Sequence, residues 1–142
     1  MARATVAEAD EPAVRRDLSV SLNKVGDVAR AQGRLGEAAE AYEEGLSLRR
    51  DLLSRYGDTP EAMRDLSVSL NQVGDVARAR NDPEQAGSVY RECIAALTRL
   101  TTVFPDDPEY PEWTQRIETA LEELGQAGEG PVSPSDRDAP SG

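Results

Sequence analysis

Sixteen residues of this chain occur twice. Residues 16–31 read RDLSVSLNKVGDVARA and residues 64–79 read RDLSVSLNQVGDVARA, so fifteen positions agree and only Lys24 against Gln72 differs. The copies lie 48 residues apart. A stretch used twice at a fixed offset predicts one structural unit built twice, with each unit burying its apolar face against its neighbour.

The apolar residues of the first copy recur at helical spacing. Val14, Leu18, Leu22, Val25 and Ala29 step by four, four, three and four, which predicts one stripe on a helix from about Pro12 to Ala31. This stripe is expected to pack against the next helix. Gly26 flanks it, where a missing side chain lets another helix approach. Gln32, Gly33 and Arg34 read as a turn. A second helix is expected from Leu35 to about Tyr56, with Leu35, Ala39, Tyr42, Leu46 and Leu53 on one face. Gly57, Asp58, Thr59 and Pro60 stop it and begin the next, since proline suits a first helical turn and a hydroxyl or carboxylate before it caps free N–H groups. The third helix copies the first through Ala79. Asn81, Asp82 and Pro83 form the second turn. A fourth helix carries Ala86, Tyr90, Cys93, Ile94, Leu97 and Leu100, and Pro105 and Pro108 break it. A fifth, over 112–124, sets Trp113, Ile117, Leu121 and Leu124 on one side. The divisions are a flexible lead-in over 1–11, repeats over 12–59 and 60–107, a capping helix over 108–125, and an acidic tail over 126–142. That tail is rich in Gly, Pro, Ser and Asp without apolar period, so it is expected to be disordered.

Val25, Gly26, Gly33, Leu35, Ala38 and Tyr42 stand at the spacing of the tetratricopeptide repeat, which this sequence resembles over about residues 12–105. Val73, Gly74, Ala86, Tyr90 and Cys93 repeat the pattern, with Asn81 in place of the turn glycine. Neither copy has the family's closing proline, and the 48-residue period exceeds the usual one of roughly 34. The sequence is in this respect similar to the longer repeats of the kinesin-light-chain kind, and the Leu22–Asn23 and Leu70–Asn71 pairs fit that class. The resemblance implies an all-α fold: a right-handed α-solenoid of two antiparallel helix hairpins with a C-terminal capping helix. It implies a protein-binding scaffold, without cofactor, that receives an extended peptide or a partner helix in the concave groove lined by the first helices.

At 100° per residue, Val20, Asn23, Lys24, Asp27, Arg30 and Ala31 point away from Leu18, Leu22 and Val25. Val68, Asn71, Gln72, Asp75, Arg78 and Ala79 do so in the second copy. These are the candidate groove residues, since an Asn amide can both donate to and accept from a peptide backbone. The plainer reading is a solvated face with Asp27 and Arg30 paired one turn apart. A carboxylate clamp of the kind some related proteins use is disfavoured, because Asp27 and Asp75 would face the anion.

Composition narrows the chemistry. The 142 residues carry 27 acidic and 16 basic side chains, for a net charge of −11. From Phe104 onward ten are acidic and two basic. One lysine in the whole chain disfavours nucleic acid, whose phosphates need clustered basic residues. There is no apolar run long enough to span a membrane and no secretory leader pattern over 1–11. With Cys93 alone, no intrachain disulfide can form, and a reducing cytoplasmic setting is expected. No His is present to activate Cys93 as a nucleophile, and neighbouring carboxylates such as Glu43 and Glu44 diverge on a helix. No metal-ligand cluster or phosphate-cradling loop is found, so no catalytic site, metal or cofactor is expected.

One asymmetry remains. The third helix must pack on both sides, and the first has almost the same surface. Ser21 and Val28 match Ser69 and Val76 on the flank that would meet a preceding helix. This flank is expected to be an assembly face, covered by a second copy of the chain or by further repeats of a longer array.

Overall fold

The structure, a computed structural model, describes the backbone of residues 2–129 and the side chains of residues 11–126. It consists of five helices: α1 Ala2–Ala31, α2 Leu35–Tyr56, α3 Pro60–Ala79, α4 Pro83–Val103 and α5 Glu109–Glu129. No strand occurs among the described residues. Each helix packs on its neighbour in sequence: α1 on α2, α2 on α3, α3 on α4 and α4 on α5. No helix is long and apolar enough to cross a membrane.

The helix starts follow local chemistry. Thr59 Oγ1 accepts from the Ala62 N–H at 3.1 Å ahead of Pro60. Asp82 Oδ1 accepts from the Gln85 N–H at 3.1 Å ahead of Pro83. Side-chain oxygens thus satisfy N–H groups that the first turn leaves free. The turn after α1 needs a left-handed residue, supplied by Gly33 with φ 75°. After α3 the equivalent Asn81 takes φ 60°. Asparagine is among the few residues that tolerate this region, so the loss of glycine leaves the turn intact.

Two boundaries differ from expectation. α1 begins at Ala2, not Pro12, and Pro12 lies inside it. The residues ahead of Pro12 are mostly Ala and Glu, which favour helix and offset the donor that proline removes and its crowding of the carbonyl four residues back. The segment expected as a flexible lead-in is therefore helical from Ala2. α5 likewise runs three residues earlier and five later than expected over 112–124, with Pro111 in its first turn. The rest of the expected tail, from 130, lies outside the described residues.

The core is richest on α3 and α4, where Leu70, Tyr90, Cys93, Leu97 and Leu100 are fully enclosed. Tyr42 lies on Gly26 and Tyr90 on Gly74, so closely that a Cβ at either glycine would fall 2.5 Å or less from a ring carbon. The glycines are thus seats for tyrosine rings.

Only part of the expected stripe on α1 meets α2. Val14, Leu18 and Val25 are exposed and Leu22 is half-buried. Ala29 is buried against α2 together with Ser19, Asn23 and Gly26 beside the stripe. A helical period identifies a face but not which neighbour it meets. α2 is served by small and polar residues because its own tyrosine and arginine fill the space.

Candidate interaction surface

The expected groove residues divide in two. Asn23 is buried against α2, contrary to the expectation that it faces a ligand. Gly45 makes this possible, since a Cβ there would come within 2.9 Å of the Asn23 amide. With its oxygen toward Arg49, that amide accepts from Nη1 at 2.9 Å and Nη2 at 3.2 Å. Its counterpart Asn71 cannot turn inward in this way, because Cys93 stands where Gly45 does in the first repeat. Asn71 instead donates to Asp75 Oδ2 at 3.1 Å and accepts from the Trp113 indole N–H at 2.8 Å.

The acidic pair is similarly engaged. The Tyr42 hydroxyl donates to Asp27, and Gln72 reaches the same carboxylate at 3.5 Å. The Tyr90 hydroxyl donates to Asp75 at 2.6 Å, and Arg30 approaches Asp75 at 3.8 Å. Burial first, and the adjacent carboxylate second, push the Tyr42 phenol up to about 12 and the Tyr90 phenol higher still. Arg78 pairs with Glu123 of α5. Lys24, Asp27, Arg30 and Arg78 remain exposed, whereas Val20, Val68, Gln72 and Asp75 are half-buried. Much of the expected groove is therefore a set of struts between α1, α3 and α5.

Arg49 is a functional-looking residue the sequence did not single out. It is buried and donates to Ser19 Oγ at 3.1 Å, to the Asp65 carbonyl at 2.8 Å and to Ser69 Oγ at 2.9 Å. It thus ties α1, α2 and α3 together. Burial lowers its affinity for the proton, and the satisfied donors allow the charge to stay. Cys93 is enclosed with Sγ 3.4 Å from the Ser67 carbonyl, and burial pushes its thiol up to about 12. A thiol so protonated is a packing group rather than a nucleophile. A cleft of about 130 Å³ lies where α1, α2 and α3 meet. Its charged walls, Arg16 with Glu61 and Asp65, are already ion-paired. Among the described residues, no three His, Cys, Asp or Glu side chains gather as a metal would require.

What stands out is an apolar face that no helix covers among the described residues. Val14 is 60%, Leu18 47%, Val25 57% and Val28 55% exposed, with Ser21 exposed between them. Val14, Leu18, Ser21, Val25 and Val28 step by four, three, four and three, the spacing of a helix-packing seam. The second copy is a control in the same molecule. Ser69 and Leu70 are 0% exposed, Val76 1% and Val73 3%, because α2 covers that side of α3.

α5 supplies a third instance. Pro12, Pro60 and Pro108 are evenly spaced by 48 residues, a signal that registers α5 with α1 and α3 and that the sequence reading passed over. In this register Tyr110, Ile117, Leu121 and Leu124 correspond to Val14, Ser21, Val25 and Val28. Tyr110 and Ile117 are buried and the two leucines half-buried, against the core that α4 leads. The positions of α5 that would face a following helix are polar and exposed: Gln115, Thr119 and Glu122. The same seam is thus covered on α3 and α5 and open on α1. Lys24 and Ala29 border it, with Arg34 and Glu37 beyond.

No family model, no curated protein and no solved structure matches the chain.

Proposed function

We propose that this protein is a non-catalytic interaction module of the tetratricopeptide kind, whose working surface is the open seam of α1. The architecture in this reading is a right-handed α-solenoid of two antiparallel helix hairpins closed at its C-terminal end by α5. The direction of packing supports the hairpins, since later residues of α2 meet earlier ones of α1, with Tyr42 on Gly26, Gly45 on Asn23 and Arg49 on Ser19. The observation that carries the function is the contrast between Val25 and Val28, exposed, and Val73 and Val76, buried, in the same local sequence. Contiguous exposed apolar surface rimmed by polar residues is the mark of a binding site. Such a module suits a reducing, cytoplasmic setting, where the free thiol of Cys93 persists.

The test is affinity capture from the source cell. A protein partner held by wild type should be lost with Val25→Glu and kept with the double change Arg30→Ala and Arg78→Ala. The converse pattern would assign function to the groove, where Lys24, Arg30 and Arg78 stay exposed for an extended peptide. Partners that survive both changes would remove this reading.

A further inference from the structure

Among the differences between the two covered seams is one coupled pair, and that pair points to what the open seam takes. At the α2–α3 contact, Arg49 of α2 donates to Ser69 of α3. At the α4–α5 contact, the equivalent residues are Leu97 and Ile117, both buried and both in the apolar core. The pair changes together, from arginine with serine to leucine with isoleucine. α1 presents Ser21 at this position, so its seam is of the first type. An arginine placed like Arg49 would find at α1 what Arg49 finds at α3: a serine hydroxyl at Ser21, and the carbonyl of Asp17 in place of the Asp65 carbonyl that accepts at 2.8 Å.

The connection between α2 and α3 is three residues, Gly57, Asp58 and Thr59. Ahead of Pro12 the chain offers no such turn, because α1 continues as helix to Ala2. Ten more helical residues extend it by about 15 Å. A helix joined to α1 by such a turn would thus meet it about 15 Å beyond Pro12, ahead of Ala2. A second copy of the chain is poorly suited to supply an α2-type helix, since its α2 is covered by α3 and its α4 by α5.

We infer that the seam of α1 binds an amphipathic helix of the α2 type: small and apolar residues with one arginine set opposite Ser21. This rests on the proposed interaction module and names its partner by chemistry. Val14, Leu18, Leu22, Val25 and Val28 supply the apolar contact, and Ser21 supplies the acceptor that discriminates an α2-type helix from an α4-type one.

The probe is a synthetic peptide of the α2 sequence, residues 35–56, stapled between the exposed Glu40 and Glu44 and verified as helical by circular dichroism. It is titrated against the full chain by calorimetry. Saturable binding is expected with wild type, and a loss of roughly tenfold or more with Val25→Glu, where a charge would be buried in apolar contact. A peptide carrying Arg49→Leu should prefer the Ser21→Ile chain over wild type, reproducing the Leu97 and Ile117 pair. Equal binding to wild type and to Val25→Glu would mean exchange with the chain's own α2 and would overturn the inference. So would no binding by the helical peptide at about millimolar concentration. Light scattering that finds a wild-type dimer, made monomeric by Val25→Glu, would assign the seam to a second copy instead. Failure of the peptide with Val25-dependent capture in cells sinks the α2-type partner alone. Peptide binding with Val25-independent capture sinks the cellular role alone.

Discussion

Single residues in this molecule are decided by what the neighbouring helix places beside them. Gly26 and Gly74 sit under tyrosine rings, and a methyl group at Gly74 would lie 2.4 Å from Tyr90 Cε1. Alanine is the better helix former by ~1 kcal/mol, but forcing the ring away costs typically 1–3 kcal/mol. Gly74→Ala should therefore lower the melting temperature. Gly36, which has open space around its Cβ direction, should gain roughly 0.4–1 kcal/mol as alanine. Thermal unfolding of the two variants by circular dichroism checks the opposite signs. The tyrosine hydroxyls set an alkaline limit. Folding raises the Tyr42 phenol from 10.0 to about 12, so the folded state holds that proton more tightly than the unfolded one. The stability this supplies is complete below pH 10 and is lost as the pH rises toward 12. Tyr42→Phe should flatten part of the fall in denaturant midpoint between pH 10.0 and about pH 12. An unchanged fall would mean that Tyr90 and Cys93, both raised as well, account for it alone.

At the scale of the helix, the copied stretch gives a matched pair of experiments in one chain. Val76→Ala removes two methyl groups from a side chain that α3 buries, at about 0.8 kcal/mol each plus a cavity term. It should cost about 2 kcal/mol. Val28→Ala changes the same residue in the same local sequence at an exposed site, and should stay within about 0.5 kcal/mol. Chemical denaturation of both variants measures the difference, and equal losses would mean that the α1 seam is covered in solution. This pair also marks how far the sequence was legible. The helices, their order and the left-handed turn at Gly33 follow from period and capping, and α2, α3 and α4 lie where those signals put them. The division of labour around α1 did not, because Leu18, Leu22 and Val25 form an apolar face whether a neighbour is there or not. Asn23 was misplaced for a related reason. Its inward turn depends on Gly45, 22 residues away, and on Arg49, and its twin Asn71 turns to Trp113 of α5 where Cys93 and Leu97 replace that pair. Arg49 was invisible because a buried arginine and a surface one look alike without their partners.

Taken as a whole, the molecule is a row of helices in which the most extensive contacts are to the next neighbour in sequence. Stability in such a row is close to a sum of local terms, so the ends are weaker than the middle unless capped. The C-terminal end is capped. Trp113 is buried, bonds Asn71 through its indole N–H, and has Arg64 over its ring at 5.9 Å. Replacing Trp113 by alanine removes this seal, and losses of 3–5 kcal/mol are usual for a buried aromatic. The N-terminal end is packed mainly on α2, where Ser19, Asn23, Gly26 and Ala29 of α1 are buried. The exposed ion pairs that tie neighbouring first helices, such as Arg16 with Glu61 and Arg64 with Glu109, add little each. Native-state hydrogen exchange should therefore show a gradient, with the amides of α3 and α4 slowest and those of α1 opening well below the global unfolding free energy. Val25→Glu should leave this gradient unchanged in the free chain, since its side chain touches no core. Saturation of the seam by the stapled α2 peptide should slow the α1 amides toward the α3 rates. If α1 is already as protected as α3 in the free monomer, the seam is not an open end, and the asymmetry between the two copies has no energetic consequence.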